Sequence, residues 1–333
     1  MGRRLPGIGA AAVLMAWIEI FGRRIKTLIS KPRVLSAVLL ALALAGLVSL
    51  RAIYNELRLD FYADRRPITA PVDKDLEGIR VVNLAATGEP ALTAFFRFAS
   101  NGRIVILLHG TGANRSQLLP EARMLARHGF GVLSLDWPGQ GESGGTIQWN
   151  EPERQALTRA IDWATQAPGT KPHQVGLLGF SFGSMIALQV ASADARVYAL
   201  ALTGAFADVK DLLVKNGGRW GGPLSSGFAL LTARWHGMRY WEKRPEDLIG
   251  LLSPRPVLLI AGTADHAVPP SMTERLYQFA REPKSLWLVP GADHGNYAAV
   301  APVEYERRLV QFFSADTGRS STSGRTEGFN FGR

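Results

Sequence analysis

Between residues 78 and 313 the chain alternates two hydrophobic periods. Short runs rich in aliphatic and β-branched residues, bounded by Gly, Pro or polar residues, predict strands at Gly78–Leu84, Ala91–Phe98, Arg103–Leu108, Gly131–Leu135, Val175–Phe180, Val197–Leu202, Pro256–Ala261 and Ser285–Val289. Apolar positions at helical spacing predict helices near 115–128, 151–166, 182–193, 270–281 and 303–313. From the third strand onward, strand and helix alternate. Such a pattern requires crossover connections and therefore an α/β fold, a mostly parallel sheet with helices on both faces. In sheets of this kind ligands bind beyond the carboxyl ends of the strands, so the chemistry is sought there.

The N-terminal pattern is different. Val34 to Leu50 is a run of seventeen uncharged residues, preceded by Arg23, Arg24, Lys26, Lys31 and Arg33 and followed by Arg51. It predicts a transmembrane helix over 34–50 behind a basic N-terminal segment, 1–33. Five Lys/Arg within residues 22–33 against two within 51–62 orient the N-terminus inside, which makes the remainder extracytoplasmic. Ala43-Leu44-Ala45 offers an alternative reading as a cleavage site that follows a signal segment. Ile8 to Phe21, interrupted by Glu19, is too short and polar to span, and Met15 is an alternative start. Residues 51–77 read as a charged connector and 314–333, rich in Ser, Gly, Thr and Arg, as a disordered tail.

Composition narrows the function classes. With 47% hydrophobic and 20% charged residues the chain can bury a sizeable core, and its lack of cysteine excludes disulfides, thiolate metal sites and a cysteine nucleophile. The net charge of +10 is concentrated in residues 1–66, with eleven Lys/Arg against four Asp/Glu. Basic residues flanking an apolar run fit a membrane surface, so nucleic acid is not an expected partner.

Five motifs fall at the ends of expected strands. Val175–Leu178 leads into Gly179-Phe180-Ser181-Phe182-Gly183 and then a helix, a G-x-S-x-G turn that would expose a serine on a strained strand-to-helix corner. Arg103–Leu108 ends in His109-Gly110-Thr111-Gly112, and the next strand in Asp136-Trp137-Pro138-Gly139-Gln140-Gly141-Glu142-Ser143. Asp265 follows the strand Pro256–Ala261 in Gly262-Thr263-Ala264-Asp265-His266-Ala267-Val268-Pro269, and His294 follows the last strand in Pro290-Gly291-Ala292-Asp293-His294-Gly295. A serine hydroxyl needs a base, and an imidazole base needs an orienting carboxylate.

Over roughly 235 residues these motifs resemble the α/β-hydrolase fold family, in its serine esterase and lipase-like branch, here of a membrane-anchored bacterial type. The order Ser181, Asp265, His294 is similar to that family's nucleophile, acid and base. The resemblance implies an oxyanion hole from the backbone amides of Thr111 and Phe182. It also implies that His109, with Gly110, braces the loop, the other reading of His109 being a catalytic base. Asp208 is an alternative acid, since some relatives place it there. Residues 207–250 correspond to the family's cap, and Trp220, Phe228, Leu230, Leu231, Trp235, Met238, Tyr240 and Trp241 within them suggest an apolar roof over Ser181. The expected activity is hydrolysis of an ester or thioester in a small-molecule, acylated or lipid-like substrate, with no cofactor and no metal. A peptidase or acyltransferase with the same triad, and a non-catalytic binding module, are the rival readings.

Overall fold

The computed structural model describes residues 32–62, 66–69, 76–84, 87–218 and 223–315. The basic segment 1–33 apart from its last two residues, the Ile8–Phe21 stretch and the tail after residue 315 lie outside these. The chain divides into two compact units, Met1–Tyr54 and Asn55–Arg333.

Helix α1, Pro32–Tyr62, contains the whole uncharged run and continues for a further twelve residues. That extension departs from the expected start of a connector at residue 51. Nothing between Arg51 and Tyr62 breaks a helix: the segment has no Gly or Pro. Among the described residues no helix is long and apolar enough to cross a membrane. The run at Val34–Leu50 covers about 25 Å at ~1.5 Å per residue, against a hydrocarbon core of ~30 Å, before charged residues intervene. The expected transmembrane span is therefore unsupported.

The second unit is built on an eight-stranded sheet: β1 (Arg80–Leu84), β2 (Leu92–Arg97), β3 (Ile104–Leu108), β4 (Gly131–Leu135), β5 (Val175–Phe180), β6 (Val197–Thr203), β7 (Val257–Gly262) and β8 (Lys284–Val289). Their order is β1-β2-β4-β3-β5-β6-β7-β8. The pairs β1–β2 and β2–β4 are antiparallel and the others parallel. Every residue of β3 to β7 is buried, as expected of strands covered on both faces, and this explains why they read as continuous apolar runs.

Helices α2 (Leu119–Arg127), α3 (Glu151–Gln166), α4 (Phe182–Ala191), α8 (Pro270–Phe279) and α10 (Pro302–Ser314) supply the cover. Their limits are within a few residues of those expected. The start of α3 is set by a capping box, in which Glu153 Oε2 accepts the Asn150 N–H at 2.7 Å. On α10, Tyr305, Leu309, Phe312 and Phe313 share the buried face, and Phe313 packs on Phe130 and Tyr198. The cap between β6 and β7 holds α5 (Val209–Gly218), α6 (Pro223–Trp235) and the single turn α7 (Pro245–Leu248), while α9 (Tyr297–Val300) precedes α10.

The apolar roof is only partly as expected. Met238 is buried, but Leu231 and Trp235 point into solvent because α6 turns its small residues inward instead, and Trp241, beyond the helix, is exposed as well; Trp220 lies outside the described residues.

Candidate active site

Register brings the carboxyl ends of the central strands together. Leu108 of β3 pairs with Gly179 of β5, Gly179 with Leu202 of β6, Thr203 with Ile260 of β7, and Gly262 with Val289 of β8. The loops that begin at 109, 181, 204, 263 and 290 therefore open at one edge of the sheet.

Ser181 stands between β5 and α4 with φ 53° and ψ −115°. A non-glycine residue in this region is strained by ~1–3 kcal/mol and persists only when its surroundings hold it. Those surroundings are visible. The Ser181 N–H donates to Thr203 O at 2.9 Å, and Ser181 O accepts the Ser184 hydroxyl at 2.6 Å. The glycines on either side are required by space. A methyl on Gly179 would meet Gly183 O at 2.5 Å, and one on Gly183 would fall well inside contact distance of Leu108 O. The G-x-S-x-G spacing thus lets α4 start directly against the ends of β3 and β5.

On the loop after β8, His294 Nδ1 lies 2.7 Å from Asp265 Oδ2. In the neutral ring this bond places the proton on Nδ1, with the lone pair on Nε2. The imidazole lies against Phe180, ring centroids 4.7 Å apart, and Gly204 leaves it room: a methyl there would sit 2.9 Å from Cε1. The Asp265 side chain is fully buried, and its Oδ1 accepts the N–H groups of Ala267 and Val268 at 2.9 and 2.8 Å. Both oxygens are thereby fixed in direction. Among the described residues no hydrogen bond joins Ser181 Oγ to His294, although both project from the same edge.

Asp208 is engaged elsewhere. It accepts the Lys210 N–H at 2.7 Å and pairs with Arg244 at 3.4 Å. His109 is fully buried, and burial pulls its imidazole down to about 4, so the ring is neutral at pH 7. Its Nδ1 meets Gly110 O at 2.7 Å, its Nε2 accepts the Trp137 N–H at 3.3 Å, and the Trp137 indole N–H donates to His109 O at 2.9 Å. With both nitrogens occupied the ring ties the 109–112 loop to the 136–143 turn, an arrangement that leaves no free nitrogen for a base. Beneath that turn, buried Asp136 binds the Arg115 guanidinium and also accepts the Arg115 N–H at 2.6 Å. The Gly110 N–H goes to Gln117 Oε1 at 2.8 Å. No hydrogen bond among the described residues consumes the amide N–H of Thr111 or Phe182.

Two further groups, to which the sequence assigned no role, support the site. Asp293 accepts the N–H groups of His294 and His266, at 2.7 and 3.3 Å, and these donors hold its carboxyl below the usual range. Lys215 of α5 donates to the carbonyls of His266 and Ala267, at 2.6 and 3.1 Å, and so clasps the loop that carries Asp265. Asp293 adjoins a recognised histidine, which was a signal of sorts; Lys215 had none. Among the described residues no cluster of three or more His, Asp or Glu could hold a metal ion.

Comparison with known proteins agrees with this architecture. The family profile described as alpha/beta hydrolase fold matches residues 103–223. The protein YfhR of Salmonella typhi is 29% identical over 275 residues, covering 76% of this chain and 86% of the relative. A thiohydrolase, aneE of Aspergillus aculeatus, is 31% identical over 102 residues, 29% of this chain and 32% of its own. Among solved structures the Pyrococcus furiosus esterase Pf2001 superposes with a TM-score of 0.62 at 18% identity, covering 75% of this chain and 96% of the esterase, a likeness of fold alone. The strand order, the elbow after β5 and the matched profile agree that the chain has an α/β-hydrolase fold.

Proposed function

We propose that this protein is a serine hydrolase that cleaves carboxylic ester or thioester bonds through an acyl-enzyme. The observation that carries the reading is the 2.7 Å bond between His294 Nδ1 and a buried Asp265 on the same sheet edge as the strained Ser181. His294 Nε2 takes the Ser181 proton as Oγ attacks the acyl carbon, and Asp265 keeps the ring in the required tautomer. The oxyanion that develops is met by the unused amides of Thr111 and Phe182, the latter at the start of α4. The protonated histidine then gives its proton to the leaving alcohol or thiol. Water, deprotonated by the same nitrogen, attacks the ester of Ser181 and releases the acid.

The thiohydrolase relative supports the thioester half of the substrate class. The basic, apolar N-terminal region supports a domain held at a membrane with acylated or lipid-like substrates, and membrane fractionation before and after high-salt washing tests that placement.

The test of the chemistry is labelling by a fluorophosphonate together with turnover of short-chain aryl esters, acyl thioesters and anilides. Labelling that disappears in Ser181→Ala, with ester or thioester turnover reduced by several orders of magnitude, is the expected result. Folded protein that takes no label would overturn the hydrolase assignment in favour of a binding module. Faster cleavage of the anilide would indicate a peptidase, and acyl transfer to an added alcohol in preference to water a transferase.

A further inference from the structure

Helix α6 is amphipathic in reverse. Ser225, Ser226, Ala229 and Ala233 are buried, and Ser226 Oγ donates to Val214 O of α5 at 2.9 Å. Their spacing of three and four places them on one side. The opposite side presents Leu231 and Trp235, four residues apart and 61% and 86% exposed, and Trp241 in the following turn is 46% exposed. Small residues bring α6 close to α5, and the large apolar ones are left in water, where a helix of a soluble domain ordinarily carries polar groups.

The same face is basic. The Arg234 guanidinium lies 5.0 Å from the Trp241 ring centroid, and the turn that follows α6 adds exposed Arg239, paired with exposed Glu242 at 3.6 Å, and exposed Lys243, so residues 223–243 carry three Lys/Arg against one carboxylate. Indole rings and arginines side by side match the boundary of an anionic bilayer, where rings sit at headgroup depth and cations meet phosphates.

We propose that this face of the cap docks onto the surface of an anionic phospholipid bilayer, with Leu231, Trp235 and Trp241 entering the headgroup boundary and Arg234, Arg239 and Lys243 engaging lipid phosphates. The docking requires nothing of the proposed triad and stands or falls separately from it.

Because the chain has no cysteine, one introduced thiol labels uniquely. Full-length Leu231→Cys and Val303→Cys carry a polarity-sensitive fluorophore, Val303 being 80% exposed on α10 beside Glu304. Each is mixed with phosphatidylcholine vesicles, with and without phosphatidylglycerol, that contain nitroxide-labelled lipid. On anionic vesicles position 231 is expected to be quenched at least about threefold more than 303, an excess lost when Arg234, Arg239 and Lys243 are changed to Glu. Circular dichroism confirms that each variant is folded. Equal quenching at both positions, or an excess at 231 that persists without phosphatidylglycerol, overturns the proposal. A blue shift at 231 that grows with protein concentration in the absence of vesicles also overturns it, and assigns the face to a second copy of the chain.

Discussion

Glu121 provides a quantitative test of the fold around α2. Its carboxyl is buried, with Oε1 accepting the Tyr305 hydroxyl at 3.1 Å and Oε2 without a partner among the described residues. Burial raises it from 4.5 to about 7. Below pH 4.5 the carboxyl is protonated in both folded and unfolded chains and stability does not depend on it. As pH rises towards 7 the unfolded chain releases the proton while the folded chain retains it, so stability falls by ~1.4 kcal/mol per pH unit, to a total of about 3 kcal/mol, and is level above 7. Glu121→Gln keeps the shape and the acceptor for Tyr305 but cannot ionise. The expected stabilisation relative to wild type is therefore about 3 kcal/mol larger at pH 8 than at pH 4.5. Urea unfolding of both proteins at the two pH values measures it. A difference between variant and wild type that is the same at both values would refute the reasoning, since it would mean that Glu121 titrates alike in the folded and unfolded chains.

Asp265→Asn is expected to lower turnover by ~10³-fold or more, and Asp208→Asn by less than about tenfold, because Asp265 holds His294 while Asp208 holds Lys210 and Arg244; steady-state kinetics at saturating substrate rank them. His109→Gln should abolish part of the acid sensitivity: the wild-type imidazole, held at about 4, contributes stability present above its unfolded value near 6.5 and lost as pH falls towards 4, about 3 kcal/mol that urea titrations at pH 7 and 4 would show missing from the variant. Gly183→Ala should destabilise by more than about 3 kcal/mol, since the new methyl has no room at Leu108 O, and a fall in melting temperature much smaller than ten degrees would contradict that packing.

The sheet was readable because its central strands are buried on both faces. Such strands must be apolar throughout, and the Gly, Pro and Asp residues at their ends mark where they stop. The site was readable for a related reason: the close approach of Gly179 and Gly183, and the turns that carry Asp265 and His294, leave local signatures in a few consecutive residues. The cap left none. Whether Trp235 faces a pocket or solvent depends on Ser225, Ser226, Ala229 and Ala233 being the side of α6 that meets α5, and two alternating patterns of small and large residues do not reveal which one is inward. Likewise the charged stretch 51–62 is equally compatible with a connector and with the continuation of α1. The clasp of Lys215 on the carbonyls of His266 and Ala267 joins residues 51 and 52 positions apart by a side chain and two backbone atoms, and no periodicity records such a contact.

The position of β8 sets the order in which competence can arise during synthesis. It is the last strand in the chain and the outermost at its end of the sheet, and it delivers His294 to a serine made more than a hundred residues earlier. A chain still on the ribosome would present the elbow after β5 before the proposed base has been made. Under the proposed mechanism, hydrolytic competence would be withheld until this last strand has found β7.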